Sequence, residues 1–165
     1  MTMARVLKNE KEIAEAINKY TNCLKQRDKR RELWKTETKD KIVEILMLVK
    51  NSFESNWYVQ QLADSAGNET VNIGFGCEMI DSSSLIIKEG GYLAYAQSYN
   101  GKIHVFIVFP YMKIKEIVSE FFETIEPREI TEEKISQHII KFLEAMSKWE
   151  GEDRLPIGYK IEKSN

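Results

Sequence analysis

The first 66 residues contain neither glycine nor proline, so nothing in that stretch compels a helix to break. The apolar spacing agrees. Ile13, Ile17, Tyr20 and Leu24 follow at intervals of four, three and four, one stripe of an α-helix with Glu, Lys and Asn on its other faces. The pattern restarts near Glu32. Between Ile42 and Phe53 the apolar positions cover more than half of the circumference, which predicts a second helix buried on two sides. A turn near Lys25–Lys35, folding the two helices together, is the preferred reading. The alternative is one continuous helix of about 40 residues, roughly 60 Å long, which needs a partner chain to cover it and so implies a dimer.

From Trp57 the grammar changes to short segments separated by glycine, asparagine and serine, as in an antiparallel sheet of hairpins. The expected strands are Trp57–Ala63, an alternating segment through Val71, Ile73, Phe75 and Cys77, Leu85–Lys88, and Tyr92–Tyr99. Ala66-Gly67-Asn68 reads as a turn, Asp81–Ser84 as a loop, and Gly90-Gly91 as a turn or bulge. Asn100-Gly101 is the strongest hairpin signal. As a two-residue loop it sets Tyr95 opposite Phe106 and Gln97 opposite His104. The core face is then Ala94, Ala96, Ile103, Val105, Ile107 and Phe109, and the opposite face carries Tyr95, Gln97, Tyr99, His104 and Phe106.

Ile114, Ile117, Val118, Phe121 and Ile125 fit a helix over Lys113–Glu126, while the β-branched and aromatic content leaves a further strand as the alternative. Thr131 is positioned to cap a last helix running from Glu132 to about Glu150, with a stripe from Ile135 to Trp149 and His138 at its margin. The order α-α-β-β-β-β-β-α-α describes a single α+β domain over residues 1–165, with about five antiparallel strands packed against N- and C-terminal helices. Residues 153–165 read as a charged tail of the kind that is flexible.

Twenty-four Lys and Arg balance 26 Asp and Glu, which favours neither a polyanion binder nor an acidic solvating tail. Lys25–Lys41 nevertheless carries +4 and Glu116–Asp153 carries −7. Interleaved acids and the lack of a nucleic-acid motif make the basic stretch a solvated helix face, or one facing its acidic counterpart, rather than a phosphate contact. Nucleic acid is therefore not an expected partner. The longest apolar runs, Ile45–Val49 and Val105–Phe109, fall far short of a membrane span, and the N-terminus has no secretory apolar core. A cytoplasmic location follows as the expectation, with Cys23 and Cys77 as buried reduced thiols.

Two cysteines without C-x-x-C spacing and two histidines make no zinc pattern, and no cofactor is expected. Gly74-Phe-Gly76 lies within an alternating strand, so it is no dinucleotide fingerprint. No catalytic motif is present. His104 is the residue best suited to acid–base work, with Glu78 and Asp81 as weaker companions, whereas His138 reads as a packed boundary residue. Two functions from different classes remain. The first is a non-enzymatic protein-interaction module: a homodimer, an inhibitor or a chaperone-like binder. The second is a small-molecule binder or enzyme using a pocket around Tyr95, Gln97, Tyr99, His104 and Phe106.

Overall fold

The helix that opens the chain does not turn back. In the computed structural model, which describes residues 8–81, 86–112 and 117–152, α1 (Glu10–Leu33) passes through a π-helical turn at Trp34–Thr38 into α2 (Lys39–Ser52). The predicted turn near Lys25–Lys35 is absent, and helical backbone angles run through both junctions. A chain without a breaker keeps its i→i+4 ladder, so one rod of roughly 65 Å results. The wide π turn has a packing role. Buried residues Trp34, Thr38, Ile42 and Leu46 recur every four positions, a spacing that drifts by about 40° per step in an α-helix. One π turn takes part of that drift back and keeps the stripe on the body.

Two sheets follow. The larger has the order β1-β2-β5-β6-β8, all antiparallel, from β1 (Trp57–Ala63), β2 (Glu69–Phe75), β5 (Tyr92–Gln97), β6 (Ile103–Val108) and β8 (Ser119–Ile125). The smaller joins β3 (Glu78–Asp81), β4 (Ile86–Glu89) and β7 (Tyr111–Met112). Its strands continue β2, β5 and β6 across two-residue breaks that include Gly76, Gly90-Gly91 and Pro110. Those breaks form a crease, where a Cβ on Gly90 would lie 2.0 Å from the Phe75 carbonyl oxygen. The last helix, α3 (Glu132–Gly151), begins where the sequence indicates, with the Thr131 hydroxyl accepting from the Lys134 amide at 3.1 Å.

One face of the larger sheet holds Val71, Ile73, Leu93, Tyr95, Ile103, Val105 and Ile107, all fully buried. Against it pack Trp34, Ile42 and Leu46 from the long helix and Ile135, Ile139 and Phe142 from α3. The architecture is therefore α+β, a five-stranded antiparallel sheet packed against N- and C-terminal helices. The second helix is buried on one side rather than two, because the single rod meets the body along one stripe and leaves Leu48 and Phe53 exposed.

The helix expected over Lys113–Glu126 is a strand in its described part, β8, completing the sheet along β6. A bulge interrupts the pairing: Val105 pairs with Glu123, but Phe106 pairs with Phe121, leaving Phe122 extra. The extra residue switches Phe121 and Ile125 to opposite faces, and Ile117, Val118 and Phe121 are exposed, so the apolar residues spaced like one helical stripe do not share a buried face. The hairpin is also one residue longer than expected. Its loop is Tyr99-Asn100-Gly101, closed by the Ser98 amide donating to Lys102 O (2.8 Å) and the Gly101 amide to Ser98 O (2.9 Å). Only Gly101 of the three has positive φ (81°). The Asn100 carboxamide oxygen accepts from the Lys102 amide at 3.0 Å, a local bond that holds the longer loop. Tyr95 therefore faces Val105 and Gln97 faces Ile103, while Ala94 and Ala96 join Phe106 and His104 on the other face.

The hairpin tip also touches the long helix. A Cβ on Gly101 would stand 2.6 Å from Arg30 Cβ and 2.9 Å from Arg27 O, whereas one on Gly67, also at positive φ (78°), would meet nothing within 4 Å. Alanine at either site bears a left-handed penalty of about 1–2 kcal/mol. Gly101→Ala is expected to lose at least about 1 kcal/mol more than Gly67→Ala in urea denaturation, from overpacking against the helix. Equal losses would mean that the helix does not press on the hairpin.

Candidate functional site

The five residues proposed from the sequence as one pocket face are not brought together. The one-residue shift of the hairpin turns Tyr95 and Gln97 into the core, where both are buried. His104 and Phe106 lie on the opposite face, with His104 edge-on to Phe121 at 5.8 Å between ring centroids. Tyr99 sits in the hairpin loop, 75% exposed, with the Arg27 and Arg31 guanidinium carbons each 5.8 Å from its ring centre. Glu78 is paired at 3.3 Å with Lys88. The thiols are exposed rather than buried. Cys77 donates to Glu89 at 2.7 Å, and that bond raises its pKa, keeping the thiol protonated and a poor nucleophile.

A polar chain absent from the sequence reading joins α3 to the sheet. The Tyr95 hydroxyl is 3.1 Å from His138 Nδ1, His138 Nε2 is 2.7 Å from Glu123 Oε1, and Lys134 Nζ is 3.0 Å from Glu123 Oε2. A carboxylate can only accept, so Nε2 carries the proton and Nδ1 accepts from Tyr95. The β8 bulge brings Phe122 as well as Glu123 to His138, at 6.4 Å between ring centroids. The order of groups resembles an acid–base relay. Tyr95 is fully buried, however, so no substrate reaches its hydroxyl, and the chain is a structural clamp. Burial of His138 was legible from its place between Ile135 and Phe142. Its partners were not, because they depend on the hairpin register and the bulge.

The basic stretch faces acids of the body. Arg30 grips Glu126 through two bonds of 2.6 and 2.8 Å, with Lys102 joining at 3.5 Å. Glu69 takes the Trp34 indole N–H at 2.7 Å and Lys39 at 2.9 Å. These contacts fix the middle of the long helix to the sheet. Beyond Arg27 toward the N-terminus the helix leaves the body, and α1 buries none of its residues. Ile13, Ile17 and Tyr20 are 44%, 58% and 65% exposed. Ala14, Ala16, Thr21 and Cys23 flank the stripe of Ile13, Ile17, Tyr20 and Leu24, which leaves about half of the cylinder without charge over three turns. Glu15 and Lys19 lie on the other half.

Among the described residues there is no group of side chains arranged to hold a metal ion, and no helix is long and apolar enough to cross a membrane. No protein-family model, curated protein or solved structure matches the chain. Among the described residues, apolar side chains are exposed on the body at Leu62, Ile117, Val118, Phe121 and Ile140, and on the projecting arm of α1 at Ile13, Ile17 and Tyr20. Single exposed apolar residues are ordinary, but a continuous uncharged face on an unsupported helix is not.

The clamp has a pH signature. Burial holds the His138 pKa below its ordinary 6.5, against the opposing pull of Glu123, so the folded protein prefers neutral imidazole. The unfolded chain binds that proton more readily; stability is therefore complete above about pH 6.5 and falls as the pH drops below it. The carboxylate of Glu123 is raised by burial but lowered more by bonds from His138 and Lys134, and Glu126 is lowered by Arg30; their stability is lost only below the ordinary value of 4.5. Urea midpoints between pH 5 and 7.5 should show the first loss in the wild type and a flatter profile in His138→Gln. An unchanged slope in the variant would remove His138 as its source.

Proposed function

We propose that this chain is a non-enzymatic protein-interaction module that presents the α1 arm as its binding surface and works in the cytoplasm. One observation carries the reading: a 24-residue helix buries no residue yet keeps a continuous apolar stripe. Helices in proteins gain most of their stability from packing an amphipathic face rather than from intrinsic propensity. A free arm built this way therefore has a use for a partner. The clamped Arg30, Trp34 and Lys39 give it a rigid root, which lowers the ordering cost of binding. The absence of a catalytic motif from the sequence and the scattering of the five pocket residues over two sheet faces and a loop support the same reading.

Site-specific photo-crosslinking in living cells tests it. A benzoylphenylalanine at Tyr20, within the uncharged face, is expected to give a discrete protein adduct, while the same group at Lys29, on the charged side of the helix, gives none. No adduct at Tyr20, or equal adducts at both sites, would remove the arm as a specific interaction surface.

A further inference from the structure

Resting on the reading of α1 as an interaction surface, we infer that the arm's partner is a second copy of this chain, bound antiparallel along the same helix. Three features of the arm repeat about one midpoint, between Asn18 and Lys19. Turning a second arm about that point sets Ile17 opposite Tyr20 and Ile13 opposite Leu24, so each apolar residue of the stripe meets another. The same register sets Glu10 opposite Arg27. Glu10 is the first residue of the helix, and Arg27 is where the hairpin begins to touch it. The length of helix clear of the body therefore matches the length of apolar face, with opposite charges closing both ends. Intervals of four and three along the stripe are those of an antiparallel helix pair, and the flanking Ala14, Ala16 and Cys23 are small enough for close approach.

A parallel pair fits less well. It would set Glu10 against Glu10 and bring Arg27 and Arg31 of one copy against the same cations of the other, so repulsion would stand at both ends. Parallel arms would also place both bodies at one end of a short helix pair, whereas antiparallel arms place them at opposite ends. In the antiparallel pair Glu10 gains a cation that within the chain is bonded to its exposed neighbour Asp28 at 2.8 Å and to the Tyr99 hydroxyl at 3.5 Å.

Spin-label distances test the orientation in the full chain, with Cys23→Ser and Cys77→Ser as background and a single label at Asn18→Cys or Lys11→Cys. Antiparallel arms set the two Asn18 labels almost level, while the Lys11 labels are displaced by about 23 Å along the axis. The expected result is strong dipolar coupling at Asn18 and a much longer distance at Lys11, in samples whose scattering mass is that of two chains. Equally short distances at both sites would overturn the antiparallel register while leaving self-association. A single-chain mass at all concentrations, without coupling at either site, would overturn the second copy as partner. In that event a Tyr20 photo-adduct to a different protein would leave the interaction module standing, and no adduct would remove it too.

Discussion

The architecture depends on a mismatch of lengths, held by the clamp at the middle of the long helix. A sheet whose strands have six or seven residues spans about 20–24 Å along its strands and a similar width across five. The helix from Glu10 to Ser52 is roughly 65 Å long, and α3 shares the same sheet face. The body can cover only part of such a rod. Trp34, Arg30–Glu126 and Glu69 with Lys39 decide which part, by tying the π turn and the residues beside it to the sheet. Residues 10–26 then project, whatever their sequence. That the projecting segment is amphipathic is thus a second, separate fact, and it gives the arm its functional interest.

The other end of the chain shows how the same sheet face receives α3. Fixing a helix on a sheet by apolar contacts alone leaves its rotation and sliding weakly determined. The Tyr95–His138–Glu123 chain adds directional bonds across that interface, with Lys134 closing it at the surface. The β8 bulge is what turns Glu123 and Phe122 toward α3 together. An edge strand with a bulge is a common way of re-aiming side chains, and here it supplies the carboxylate that keeps a buried imidazole in one tautomer.

Periodicity carried the large features of this fold and failed where local bonds override it. The helical first third, β1, β2, the Thr131 cap and α3 follow from breakers, alternation and stripes, and they agree with the structure because packing reinforces local preference there. The hairpin shows the opposite case. Asn-Gly favours a two-residue loop, but the Asn100 side chain bonds its own backbone and stabilises a three-residue one. One residue of slip reverses every side chain, so the candidate site at Tyr95, Gln97, Tyr99, His104 and Phe106 dissolved with it. In β8 the apolar residues spaced like a helical stripe lie on no single face of the bulged strand. The continuity of the long helix was legible as an alternative, since no breaker interrupts it. A turn would let one chain cover its own apolar surface, whereas the arm leaves Ile13, Ile17 and Tyr20 exposed.

Hydrogen exchange followed as a function of protein concentration tests most directly whether the arm is a folded element that needs a partner. Amides from Ile13 to Leu24 are expected to exchange slowly at high concentration and progressively faster on dilution, while the clamped segment around Trp34 stays protected throughout. Rapid exchange of Ile13–Leu24 at every concentration would contradict it, as would protection that dilution does not change in a protein of single-chain mass.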